Sequence, residues 1–204
     1  MTQLERLRGL LAEGEIWRMG ALADAGVTAA TVRRAVAAEL VEQVSRGVYR
    51  RLGTPHVAGT HLAEALVRVP RGLVCLHSAA QAHGLGDETT SRTWVAVPHG
   101  CHPPRVEWPP MRFVHWRDPA AFEVGIEERT VSGVPVRLTN PARTVVDMLR
   151  MSSVVGEDRA LECLRDYLDG NEPVGELRAV ADALGVGRRL APMLRVASAL
   201  ARAA

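Results

Sequence analysis

A chain of 204 residues has room for one large domain or two small ones. Its 47% apolar content can fill a packed core, and with 4% aromatics that core must be built of Ala, Val and Leu. No apolar run reaches the roughly 18 residues of a spanning helix, the charged N-terminus lacks the apolar core of a signal peptide, and a net charge of +2 excludes indiscriminate binding of polyanions; a cytoplasmic protein is expected.

Residues 2–13 place Leu4, Leu7, Leu10 and Leu11 on one face of an opening helix. Residues 19–25 form a second helix, closed by Gly26 in the left-handed conformation. Thr28 is an N-cap for a third, running to about Glu39, with Val32, Ala35, Val36 and Leu40 as its apolar stripe. The opposite face carries Ala30, Arg34, Ala37 and Ala38, flanked by Thr31 and Arg33. Residues 40–45, the turn Arg46-Gly47 and residues 48–52 then read as a hairpin. Helix, turn, helix and basic hairpin in this order are the pattern of a winged helix-turn-helix. Its alanines let the backbone approach a groove, and its arginines reach phosphates or guanine edges. The expected DNA contacts are Thr28, Thr31, Arg33 and Arg34 on the helix, with Arg46, Arg50 and Arg51 on the hairpin. Residues 28–52 hold five arginines against Glu39 and Glu42, a modest excess. The same pattern also builds winged modules that bind only protein.

Gly53-Thr54-Pro55 is a breaker and the expected boundary between residues 1–55 and 56–204. A helix over residues 60–69 ends at Pro70-Arg71-Gly72. Residues 73–76 are an apolar run leading into a short helix, 78–83, closed by Gly84. Strands are expected over 93–97 and 112–116, separated by a loop from Pro98 to Pro104 whose prolines cannot join a ladder. Residues 126–131 and 134–138 form a hairpin around Ser132-Gly133. Asn140-Pro141 is an N-cap followed by proline at the first helical position. Helices follow over 142–151, 157–168, 176–184 and about 190–203, with Pro192 in the first turn of the last and Arg188 at its margin. The fold class is therefore α+β: a wing module, a mixed sheet to about residue 139, and helices over 140–204.

Chemistry-bearing residues are sparse. Cys75-x-His77 and His99-x-Cys101-His102 lie far apart, and Cys101 and His102 are adjacent, which is awkward for one ion. No metal, no cofactor and no catalytic residues are expected; His77 would bond a backbone group near its helix start, and Cys75 would be buried. Glu127-Glu128, Glu157-Asp158 and Asp87-Glu88 point different ways along their elements and suit solvated surface. Arg143 and Asp147, four apart on one helix, can pair directly, or Arg143 can clamp the preceding loop. All 25 basic residues are Arg, each a planar, multi-donor group. Arg188, Arg189, Arg195 and Arg202 on the last helix are either a solvated stripe or a surface for nucleic acid or an acidic protein.

Three segments in order, Ser45-Arg46-Gly47-Val48-Tyr49-Arg50, Leu76-His77-Ser78-Ala79-Ala80 with His83-Gly84-Leu85, and Thr139-Asn140-Pro141-Ala142-Arg143-Thr144-Val145-Val146-Asp147, resemble the antitoxins of AbiE-type abortive-infection systems. The resemblance spans roughly residues 5–170. It implies a non-enzymatic repressor that binds inverted repeats in its own operator, with residues 56–204 as an antitoxin domain opposing a co-encoded nucleotidyltransferase toxin, with or without direct contact. Some relatives continue into a restriction-like nuclease domain, whose acidic core has no trace here. The alternative is a stand-alone winged-helix regulator whose second domain senses a ligand or dimerises.

Overall fold

The computed structural model describes residues 2–13, 16–53, 58–87, 90–104, 108–170 and 172–200. Among them the chain forms ten α-helices and two sheets, a mixed α+β architecture. It divides into two compact units, residues 1–70 with 130–136, and residues 71–129 with 137–204. The division after Pro70 leaves the helix that follows the Gly53-Thr54-Pro55 breaker with the N-terminal unit; of that breaker, Thr54 and Pro55 lie outside the described residues.

The N-terminal unit runs α1 (Gln3–Glu13), β1 (Ile16–Arg18), α2 (Met19–Asp24), α3 (Ala29–Ala37), β2 (Val41–Ser45), β3 (Val48–Arg51) and α4 (Thr60–Arg68). Gly26 takes φ +80 after α2, and Thr28 caps α3 by accepting a hydrogen bond from the Thr31 amide. Leu7, Leu11, Leu22, Val27, Val32, Ala35 and Val41 form its core, while Leu4, on the same helix, is 37% exposed. β2 and β3 form the expected hairpin, with Gly47 at φ +72 in its turn. The sequence did not anticipate β1, which pairs antiparallel with β3 and gives the sheet order β1-β3-β2.

The second unit contains β4 (Leu73–Val74), α5 (Leu76–His83), β5 (Thr93–Pro98) and β6 (Met111–Trp116), then β7 (Ile126–Val131) and β8 (Val134–Thr139), whose turn belongs to the first unit. The sheet order is β6-β5-β4-β8-β7, mixed as expected: β4 is antiparallel to β5 and parallel to β8, and β5 is parallel to β6. Ser132 and Gly133 both take positive φ, 49 and 71, the combination that a two-residue hairpin turn requires. Pro98, assigned to the loop by the sequence, is the last residue of β5, opposite Trp116. A proline is tolerated there because β4 pairs only as far as Ala96, so no ladder donor is missed.

The helices that follow are α6 (Pro141–Arg150), α7 (Ser152–Val155), α8 (Glu157–Asp169), α9 (Val174–Ala183) and α10 (Gly187–Leu200). Asn140 caps α6 by accepting from the Arg143 amide at 2.8 Å. Pro192 lies well inside α10 rather than in its first turn, so Arg188 is helical. The proline removes one ladder bond, and the buried face of Leu190, Leu194 and Ala197 against the core carries the helix through it.

Both readings of Arg143 hold at once. The side chain is fully buried and donates Nε to Asp147 Oδ2 at 2.9 Å, Nη1 to the Val124 carbonyl at 2.5 Å and Nη2 to the Ala121 carbonyl at 3.1 Å. Its guanidinium lies 4.8 Å from the Trp116 ring. Asp147, also fully buried, accepts a second charged bond from Arg150 at 2.7 Å. Burial pushes its carboxyl above the usual carboxylate range, and the two guanidiniums oppose that rise. Gly125 makes the clamp possible: at φ +63 its backbone lies so close that a Cβ would come 2.6 Å from Arg143 Cβ.

Arg143→Met leaves Asp147 to Arg150 alone and strips two carbonyls of their donors. Chemical denaturation should show a loss of about 3–5 kcal/mol, with Arg143→Met/Asp147→Leu recovering a large part of it. A single-variant loss below about 1 kcal/mol would mean that the pair does not organise this unit.

Candidate nucleic-acid interface

The N-terminal unit exposes basic side chains on α3 and on the hairpin that follows it. The inward stripe of α3, Val32 and Ala35 with half-buried Val36 and Leu40, packs on the core as the spacing requires. Outward, Ala30, Arg33, Arg34, Ala37 and Ala38 are all exposed. Three alanines beside two arginines leave the helix backbone open to close approach by a ligand.

Thr31 departs from expectation. It is 2% exposed and donates its hydroxyl to Gln3 Oε1 at 2.6 Å, while the Thr28 hydroxyl donates to the same oxygen at 2.8 Å. Two threonines and one glutamine thus fasten α1 to the start of α3. Arg34 Nη2 in turn donates to Thr31 Oγ1 at 3.3 Å, which orients the guanidinium along the outer face. Thr31 positions; it cannot touch a base. Thr28 is exposed but spends its hydroxyl on the cap and on Gln3.

The hairpin arginines separate into three roles. Arg46 is exposed in the turn, and the Gly47 carbonyl beside it accepts from the Met19 amide at 2.9 Å, tying the turn to the start of α2. Arg50 is instead paired: its side chain is 11% exposed, bonds Glu42 through Nε and lies 3.8 Å from Glu64 of α4. It was expected on a phosphate because the sequence gives no sign that the α4 carboxylate lies beside it. Arg51 is exposed but stands opposite Val41, at the other end of β3 from the turn. The sequence overlooked Arg18, which is exposed, pairs with Val48 next to the turn and immediately precedes α2. Only the three-residue strand β1 places it there, too short for alternation to reveal.

The other sequence-derived residues do not assemble a chemical centre. Cys75 is buried, and burial pushes its thiol well above its ordinary value. His77 is buried with its ring 5.1 Å from Trp94, and the neighbouring Ser78 accepts from the Trp94 amide at 2.9 Å. His99 and His102 are exposed, and His115 Nε2 is 3.3 Å from the Cys101 carbonyl. Among the described residues no three His, Cys, Asp or Glu side chains converge as metal ligands. Arg188, Arg189 and Arg195 are exposed on α10; Arg202 lies outside the described residues.

One histidine does link two of the sequence segments singled out above. His83 Nε2 bonds the Thr139 carbonyl at 2.7 Å, and Arg129 Nη2 donates to its Nδ1 at 2.8 Å. That pattern fixes the neutral ring with its proton on Nε2, because Nδ1 must accept. Burial pushes the imidazole below its ordinary 6.5, and the Arg129 charge acts the same way, against the Thr139 bond.

No family model matches this chain, and no curated protein matches it. Among solved structures it is similar to the RV2827C protein from Mycobacterium tuberculosis, with a TM-score of 0.56 over 89% of this chain and 72% of that one. At 16% identity the likeness is one of fold.

Since the folded protein holds His83 neutral, the unfolded chain binds the extra proton and stability falls with pH. The contribution is fully present above 6.5 and is lost as pH drops below it toward the depressed folded value. Melting curves between pH 7.5 and 5 should show His83→Gln with a shallower acid-side decline than the parent; identical slopes would exclude His83 as a source.

Proposed function

We propose that this chain is a winged helix-turn-helix DNA-binding protein that represses its own operon as the antitoxin of an AbiE-type system. The observation that carries the DNA reading is the exposure of Arg33 and Arg34 on α3 and of Arg46 at the hairpin turn. Gly26 and the Thr28 cap set the angle at which α3 leaves α2. In this reading α3 enters the major groove and Arg34, already oriented by Thr31, reaches base edges, with Arg33 beside it. Arg46 and Arg18 lie against the phosphate backbone. Arg50 supports the hairpin from behind through its carboxylates.

The antitoxin part of the proposal rests on the three sequence segments. In their favour, His83 of one bonds the Thr139 carbonyl of another, and the Thr139 and Thr144 hydroxyls lie 2.7 Å apart. The partners proposed are operator DNA carrying inverted repeats and, functionally, a nucleotidyltransferase toxin. The protein acts by binding, in the cytoplasm and without a cofactor. Among the described residues no helix is long and apolar enough to cross a membrane.

Fluorescence anisotropy with the DNA upstream of the gene tests the first part. Arg34→Ala should weaken specific binding by about 1–3 kcal/mol and relax preference at one base position, whereas Arg46→Ala should weaken all sequences alike and lower the salt slope by about one. Arg50→Gln should lower thermal stability and leave the salt slope alone. Unchanged binding in both arginine-to-alanine variants would sink the DNA reading. Co-expression with a neighbouring nucleotidyltransferase gene tests the second part: failure to rescue growth leaves a stand-alone regulator.

A further inference from the structure

The N-terminal unit holds a cleft of about 290 Å³ that the proposed DNA surface does not use. Its deep lining is apolar: Leu7 and Leu11 of α1, Ala35 of α3 and Val41 of β2 are all buried. Leu40, half-buried, completes that lining, and the exposed Leu4 extends the apolar surface outward. Ala35 creates the recess, since it puts a single methyl where its stripe neighbours Val32 and Val36 carry branched side chains.

The two remaining lining residues are Arg8 and Arg51, both exposed. Among the described residues neither is engaged in an ion pair or side-chain hydrogen bond, and no acidic side chain lines the cleft. The volume lies at the lower bound of small-molecule sites, which combine apolar walls with a few polar groups that fix orientation. Here those groups are two guanidiniums, whose forked donors match a carboxylate.

The geometry points to a binding site for a small apolar molecule with one anionic end, a medium-chain carboxylate, its chain among the leucines and its carboxylate between Arg8 and Arg51. Such a ligand removes apolar lining from water and sets its one negative charge against the two cations, a combination that neither a neutral hydrocarbon nor an inorganic anion offers. The inference does not rest on the DNA reading.

Isothermal titration calorimetry of the full chain with sodium decanoate, below its micelle-forming range, tests it without DNA present. Saturable binding of one decanoate per chain is expected. Arg8→Gln/Arg51→Gln, with both changes at exposed positions, should keep the parent melting temperature and weaken binding about tenfold or more. Decyltrimethylammonium, an equally long chain of opposite charge, should not bind. Amide resonances that shift with decanoate should cluster at Leu7, Ala35 and Leu40. No saturable heat, equal affinity in the double variant, equal binding of the cation, or shifts centred elsewhere would each overturn the proposal.

Discussion

A guanidinium without water must find an acceptor for each face it presents, and Arg143 finds them on two segments of chain. Asp147 lies one turn ahead on α6, and the Val124 and Ala121 carbonyls belong to the segment before β7. Because that segment approaches α6 closely enough to be clamped, position 125 has no room for a side chain. Trp116 then closes over the cluster from β6, with the Arg150 guanidinium also 5.4 Å from its ring. The end of one edge strand, the irregular segment after it and the central helix are thereby fixed by one side chain. An ion pair this deep adds little net stability over an apolar replacement of equal shape. What it supplies is direction, since Nε and both Nη groups accept only one arrangement of their partners.

The N-terminal unit uses the same logic at smaller scale. Gln3 Oε1 receives two threonine hydroxyls, so the first turn of α1 and the first turn of α3 share a single acceptor. That junction makes the outer face of α3 a rigid platform, and the Arg34 guanidinium inherits its orientation from it. On the hairpin, Arg50 plays the corresponding part toward Glu42 and Glu64, while Arg46 is exposed at the turn.

How far the fold could be read from the sequence followed the range of the interactions involved. The caps at Thr28 and Asn140, the left-handed closures at Gly26 and Gly84 and the turn at Ser132-Gly133 were legible, because each depends on a few neighbouring residues. So was the pairing of Arg143 with Asp147, a relation of one helical turn. Its total burial was not, since Trp116 and the two carbonyls approach from distant segments. Thr31 was misjudged because Gln3 lies far away along the chain, and Arg50 because Glu64 sits on the next helix. Pro192 shows local grammar overruled: a residue that ordinarily opens a helix is carried within one by a buried face. β1 offered three residues and no repeat, so neither it nor Arg18 could be seen in advance.

Helix α6 is buried at every position from residue 142 to 149, although that stretch holds Arg143, Thr144 and Asp147 and follows an asparagine cap. Its amide protons therefore have no face along which solvent can enter while the rest of the unit stays intact. Opening α6 means releasing Arg143, Asp147 and the packing of α5, α8 and α9 together. In the hierarchy of local openings that a protein samples, such an element belongs to the slowest class, whose exchange reports the free energy of the whole unit rather than of a single helix.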